Sequence, residues 1–175
     1  MKMRKACDKD LCDIRKLYMS AFPECERQPF ERLVQLWRNG MSRVYTFDDN
    51  GFAGFISTLD SADVSLINFF AVDAGKRCGG IGSRALEEFL GMENGRRIFL
   101  EIERIMPHDG ADCVRVRRKN FYIRHGFEPT GIFTRVAAAD YELMTYRCKV
   151  SYDEYEALYI EAFGERLRGK IVRTG

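Results

Sequence analysis

The stretch from Val64 to Ser83 constrains this chain more than any other. Val64 to Val72 is rich in β-branched and aromatic side chains, which predicts a buried strand. Soon afterwards Ile81, Ala85 and Phe89 recur at helical spacing and predict a helix from about Gly80 to Leu90. The connection contains Arg77-Cys78-Gly79-Gly80-Ile81-Gly82, with its glycines crowded at the helix start. Each glycine there costs up to about 1 kcal/mol relative to alanine, so a mere tight connection explains them poorly. Glycines let backbone N–H groups approach an anion, and the helix N-terminus adds a favourable dipole. The stretch therefore predicts an α/β fold with a phosphate-binding loop at a strand-to-helix junction.

The flanking sequence supplies the rest of such a fold. The first few residues can form a strand. A helix follows Asp8, with Leu11, Ile14, Leu17, Tyr18 and Ala21 on one face, and Pro23 stops it. Pro29 opens a second helix at its first position, with Phe30, Leu33, Val34 and Trp37 as the apolar stripe and Gly40 as the stop. Arg43 to Asp48 and Phe52 to Leu59 read as strands joined by the hairpin signal Asn50-Gly51. Beyond the glycine loop come a strand from Ile98 to Glu103 and a helix from about Asp112 to Arg124, closed by Gly126. Strands follow near Ile132 to Ala137 and Leu143 to Cys148. Ser151 and Glu154 form a capping box for a last helix carrying Tyr155, Leu158, Tyr159 and Ala162. The order predicts a mixed α/β sheet with helices on its faces, and a length of 175 residues suits a single domain over 1–175.

Composition narrows the partners. With 28 basic and 26 acidic side chains, the net charge of +2 points to neither nucleic acid nor a membrane surface. No apolar run approaches a membrane span, and Met1-Lys2-Met3-Arg4 leads straight into polar sequence. Cys7, Cys12, Cys25, Cys78, Cys113 and Cys148 form no C-x-x-C pair, and His108 and His125 stand apart. Those spacings predict reduced thiols, a cytoplasmic location and no metal site.

Three phosphate loops compete for the glycines. A P-loop requires G-x-x-x-x-G-K-[ST], and here Lys76 stands at the wrong end. Gly80-Ile81-Gly82-Ser83-Arg84-Ala85 fits the dinucleotide pattern G-x-G-x-x-A, with Glu101 about 20 residues on. That fingerprint starts in the turn right after its strand, whereas seven residues, Asp73 to Gly79, intervene here. The third reading fits: Phe70-Ala71-Val72, a short connection, then Arg77-x-x-Gly80-x-Gly82-Ser83 resembles motif A of the GNAT superfamily of N-acetyltransferases. Asn120-Phe121-Tyr122 and Gly126-Phe127 follow in the family's order. Ala21 to Phe30 is similar to a subgroup of bacterial members.

The resemblance implies a fold, a co-substrate and a site. The fold would be a mostly antiparallel twisted sheet with a splayed parallel strand pair, flanked by helices. Acetyl-CoA would be the co-substrate, with its pyrophosphate on the backbone of Arg77, Cys78, Gly79, Gly80, Ile81, Gly82 and Ser83. Its pantetheine arm would pair with Phe70, Ala71 and Val72 as an added strand, in a slot opened by the divergence of Ile98 to Glu103. No metal is implied. The acceptor would be a small-molecule or peptide amine, and the enzyme a monomer or homodimer.

Acetyl transfer needs a neutral amine, a donor to the oxyanion and a proton for the departing thiolate. Tyr122, four residues before Gly126, stands where the resemblance implies a tyrosine near the CoA sulfur and is the candidate acid, since a phenol is protonated at neutral pH and can donate to a thiolate. Strand alternation puts Glu101 and Glu103 on one side, and Glu103 at the strand end is the first choice of base. Glu24 and Glu26 are alternatives from the loop between the first helices. Cys78 lacks a neighbouring histidine, which argues against a covalent intermediate. The basic run Arg115, Arg117, Arg118, Lys119 and Arg124 reads first as a solvated helix face balanced by local acids, and second as a landing site for the CoA 3′-phosphate. An acyl-CoA sensor without catalysis is the alternative from another functional class.

Overall fold

The structure, a computed structural model, describes residues 1–136 and 139–175. Its elements are β1 (Lys2–Lys5), α1 (Leu11–Ala21), α2 (Phe30–Arg38), β2 (Val44–Asp48), β3 (Phe52–Ser61), β4 (Val64–Val72), α3 (Ile81–Met92), β5 (Arg97–Glu103), α4 (Val114–Arg124), β6 (Phe127–Val136), β7 (Ala139–Tyr146), α5 (Tyr152–Phe163) and β8 (Ile171–Arg173). Short 3₁₀ turns link several of them. The strands run in the order β1-β2-β3-β4-β5-β7-β6-β8, antiparallel apart from the parallel neighbours β4 and β5. This is the mixed α/β sheet expected from the sequence.

Two compact units divide the chain, and β4 contributes to both. Met1–Asp60 and Ile67–Gly95 form the first; Ser61–Leu66 and Arg96–Gly175 form the second.

In the first unit, β2 and β3 close through Asn50 and Gly51, both with positive φ (53° and 95°), as a tight two-residue hairpin turn requires. The helices α1 and α2 bury Ile14, Leu17, Tyr18, Phe30 and Leu33 against Val44, Phe55, Phe69 and Ala71. The Tyr18 ring meets Phe69 edge-on at 4.9 Å. Its hydroxyl donates to the carbonyl of Gln28 and accepts from that residue's N–H, which fixes the loop between the helices. Pro29 sits at the N-cap of α2 rather than at its first position: its ψ of 131° is extended, so the helix proper starts at Phe30. Gly54 of β3 has no room for a side chain, since a Cβ there would lie 2.2 Å from both the Ala71 carbonyl and the Phe47 ring. That close approach brings β3 hard against the part of β4 that leads into the glycine loop.

In the second unit β7 lies between β5 and β6, and β8 adds to the far side of β6. Arg97 N–H donates to the Asp63 carbonyl and the Arg96 guanidinium to the Val64 carbonyl, which ties the start of β4 to the start of β5. β6 begins at Phe127, five residues before the expected start. Pro129 and Gly131 look like chain breaks, but the strand absorbs them as an irregularity between Pro129 and Phe133. Thr130 bridges it, its hydroxyl donating to the Leu143 carbonyl and accepting from Ile132 N–H. Ala137, the expected end of that strand, lies outside the described residues. β7 likewise begins early, at Ala139, and ends at Tyr146 rather than Cys148. The capping box forms as read: Ser151 accepts from Glu154 N–H, and Glu154 accepts from Ser151 N–H. No helix among the described residues is long and apolar enough to cross a membrane. Cys7, Cys12, Cys78, Cys113 and Cys148 are free thiols.

Candidate active site

The glycine loop is the best-defined feature of the first unit. Asp73 anchors its start: its N–H donates to the Ala53 carbonyl and its carboxylate accepts from Gly75 N–H at 2.9 Å. One 3₁₀ turn, Ala74–Lys76, follows. Lys76 then reaches back, its Nζ donating to the carbonyls of Asp49, Asn50 and Gly51 at 2.7, 3.1 and 3.0 Å. The loop is thereby clamped to the β2–β3 hairpin. Arg77 turns its Nε to the Val72 carbonyl at 3.2 Å.

Two left-handed residues come next, Cys78 (φ 69°) and Gly80 (φ 71°), and Gly80 is the N-cap of α3. As a glycine it offers no capping side chain, and none is supplied by the first turn. Arg84 N–H makes the first helical bond, to the Gly80 carbonyl, so the amides of Ile81, Gly82 and Ser83 lie ahead of the ladder. A left-handed residue followed by helical ones turns successive N–H groups to one side. Residues 77–80 are exposed, and nothing lies within 4 Å of where side chains on Gly79 and Gly80 would project. The first turn of α3 contains no acid. This is open, amide-lined space at a positive helix end, and its chemistry fits a diphosphate. Phe70, Ala71 and Val72 lead into it, with Phe69 and Ala71 turned to the α1–α2 core and Phe70 turned to Phe47.

The second unit carries Tyr122 and both β5 carboxylates. Tyr122 is 9% exposed on α4, its ring edge-on to Phe121 and Phe127. Among the described residues nothing hydrogen-bonds its hydroxyl. Burial raises its pKa to about 12, and the positive charge of Arg118 only partly offsets this. The phenol is therefore protonated throughout the physiological range.

Glu103 does not stand alone. Arg118 donates to it at 3.1 Å, and Arg115 lies 3.5 Å away. Arg115 also grips Asp109 at 2.8 Å, and Lys119 pairs with Glu142 at 2.7 Å. Three members of the basic run thus have local acids, while Arg117 and Arg124 are exposed. Glu101 points elsewhere. Its carboxylate accepts from the Tyr155 hydroxyl and, at 2.6 Å, from the Tyr159 hydroxyl, both on α5. Desolvation lifts its pKa above the ordinary value, against the pull of those two donors. Glu24 and Glu26 fall in a 3₁₀ turn between α1 and α2.

Sequence reasoning singled out the glycine loop and Tyr122 as candidates and did not foresee the Lys76 clamp or the tyrosine pair on Glu101. A lysine carries no local sign of which carbonyls it will meet. The Tyr155 and Tyr159 spacing was visible, but its partner lies more than fifty residues upstream.

No family model matches the chain, and no curated protein does. Solved structures do. One assigned to the GNAT family of acetyltransferases, from Bacteroides thetaiotaomicron, is 26% identical, with a TM-score of 0.78 over 94% of this chain and 99% of that one. An aminoglycoside 6′-N-acetyltransferase solved with coenzyme A is 15% identical, with a TM-score of 0.66 over 86% of this chain and 100% of that one. The ribosomal-protein-S18-alanine N-acetyltransferase of Escherichia coli is 15% identical, with a TM-score of 0.64 over 86% of this chain and 95% of that one. The last two speak for the fold alone. Sheet order, glycine loop and the first of these likenesses together give the chain the fold of the GNAT acetyltransferases.

Proposed function

We propose that the chain moves the acetyl group of acetyl-CoA to a primary amine by direct attack in a ternary complex. The observation that carries this reading is the uncapped N-terminus of α3 behind a left-handed Gly80. Amides from Arg77 to Ser83 hold the pyrophosphate, and main-chain groups of Phe70, Ala71 and Val72 take the pantetheine arm. Bound there, acetyl-CoA supplies an activated acyl carbon. The amine nitrogen forms a bond to that carbon while the C–S bond breaks. Tyr122 gives its phenolic proton to the departing sulfur and is reprotonated as the new amide nitrogen sheds its own. The unpartnered hydroxyl and raised pKa of Tyr122 support that role.

The acceptor must shed a further proton if it arrives as an ammonium. Glu103 is the base suggested by its place at the strand end, and it would serve once Arg115 and Arg118 release it. Cys78, exposed and without an adjacent base, takes no covalent part. The acceptor is a small-molecule or peptide amine; the solved relatives include enzymes named for an aminoglycoside, for the alanine of protein S18 and for spermidine.

The test is calorimetric titration with acetyl-CoA, followed by CoA release against an amine panel covering those three chemistries. Binding with turnover supports the enzyme. Binding without turnover on any amine favours an acyl-CoA sensor, and stabilisation by NAD instead of acetyl-CoA would overturn the reading.

A further inference from the structure

The tip of the β2–β3 hairpin does more than reverse the chain. Three consecutive carbonyls, of Asp49, Asn50 and Gly51, converge on Lys76 Nζ at 2.7, 3.1 and 3.0 Å. An ammonium has three donors, so this set leaves none for a ligand phosphate. The Asp49 N–H also donates to the Gly51 carbonyl at 2.9 Å, which closes the tip on itself. From the same tip the Asp49 carboxylate reaches Arg84 at 3.9 Å, and its other oxygen lies 3.4 Å from the Met1 nitrogen. Lys76 stands directly before the segment from Arg77 to Ser83, and Arg84 directly after it. The hairpin tip therefore holds both ends of the stretch that carries the exposed amides. Within that stretch Cys78 and Gly80 are left-handed, and Gly79 and Gly80 have no atom within 4 Å of where a side chain would project. Such a segment has little packing of its own to keep it in one shape.

We propose that the β2–β3 hairpin tip is the frame that keeps the α3 amides aimed at the diphosphate, with Lys76 as its principal positioning residue and Asp49 as the second. The inference rests on the acetyl-CoA reading of the loop and adds to it a lysine that does not touch the ligand. A loop free to sample several shapes binds in only one of them, and its apparent dissociation constant rises by the inverse of that shape's share. Fixing Lys76 against three carbonyls takes this ordering out of the binding step. Once acetyl-CoA is seated, the ligand itself holds the loop, and the chemistry proceeds at its normal rate. Lys76 thus acts on affinity through geometry and not through charge. Arginine cannot stand in for it, because a planar guanidinium does not aim three N–H groups at carbonyls gathered round one point. The Asp73 contacts do not duplicate the frame. They fix the loop to Ala53 and Gly75, upstream of Lys76, and leave the stretch beyond it unheld.

Calorimetry with acetyl-CoA on the full-length wild type, Lys76→Met and Lys76→Arg tests the frame. Both variants should raise Kd about tenfold, the effect of a loop that is correctly shaped about one-tenth of the time. In CoA release with an amine that turns over, kcat at saturating acetyl-CoA should stay at the wild-type value, so that the loss falls on KM. Wild-type affinity in Lys76→Arg would mean that the residue acts by its charge, and overturns the proposal. Wild-type affinity in Lys76→Met, whatever its Tm, marks a merely structural contact and overturns it too. Gly51→Ala examines the hairpin end. Its φ of 95° strains an L-residue, and the added methyl would sit 3.9 Å from Lys76 Nζ. Gly51→Ala should weaken acetyl-CoA binding in the wild type and weaken it no further in Lys76→Met. Additive losses would show that hairpin and lysine act independently, against the proposal. Should Lys76→Met fail to fold, Gly51→Ala alone decides, and unchanged affinity in it rules the frame out. If wild type itself fails to bind acetyl-CoA, the acetyl-CoA reading falls; if it binds and the variants match it, only this inference does.

Discussion

Replacing Gly80 with alanine isolates what the glycine loop is for. Gly80 has φ 71° and ψ 8°, a left-handed backbone that costs an L-residue about 1–2 kcal/mol. No atom lies within 4 Å of the added methyl, so no clash enlarges that cost. In a chain of 175 residues this corresponds to a fall in Tm of about 2–8 °C. Ligand binding should suffer separately. The methyl stands where an anion would approach the α3 amides, and losing one charge-assisted hydrogen bond costs about 1.5–3 kcal/mol, or roughly 10- to 10²-fold in affinity. Gly40 provides the control, with φ 76° and equally open surroundings at the far end of α2. Gly40→Ala should lower Tm to a similar degree while acetyl-CoA affinity stays at the wild-type value. Thermal denaturation and calorimetry on both variants make the comparison. Equal acetyl-CoA affinity in the two would mean that the loop amides do not hold the ligand.

The other predictions address single side chains. Tyr122→Phe should retain acetyl-CoA affinity while kcat drops by about 10²-fold in the CoA-release assay, and an unchanged kcat removes the phenol from the reaction. Because the Tyr122 pKa is raised to about 12, any alkaline limb centred well below that value in wild type should persist in Tyr122→Phe. Glu101 also sets a pH-dependent stability. Its folded pKa lies above the ordinary 4.5, so its stabilising contribution is complete below the unfolded pKa and is lost as pH rises through the folded one. Glu101→Gln should therefore compare more favourably with wild type in Tm at pH 8 than at pH 4, and the opposite order would contradict the burial argument. Ser151→Ala removes the capping box of α5 and should cost about 1 kcal/mol, or about 2–4 °C in a melting scan.

Local chemistry made much of this fold legible. Asn50-Gly51 specified a turn with two positive φ angles, and both appear. Val64 to Val72 is a strand with the expected ends, and Ser151 with Glu154 caps α5 as read. Each of these depends on residues within a few positions of one another. The glycine loop belongs with them, since the left-handed Gly80 and the helix after it are one continuous motif. Elements whose form depends on distant partners were read short or not at all. β6 runs through Pro129 and Gly131 because Thr130 finds the Leu143 carbonyl across the sheet. β8 has only three residues and exists by pairing with Thr134 to Val136. Neither partner can be inferred from the segment itself.

The same division separates Glu101 from Glu103. Alternation along β5 placed both on one side of the strand but said nothing about what stands opposite each. The sheet register answers part of that question, with Glu101 facing Leu143 and Glu103 facing Tyr141 on β7. The helices answer the rest: α5 brings two phenols to Glu101, while Arg115 and Arg118 of α4 take Glu103. Neutral donors leave a carboxylate free to bind a cation, and guanidinium groups already satisfy that demand. Two glutamates two residues apart therefore differ in chemistry because of which helix reaches them.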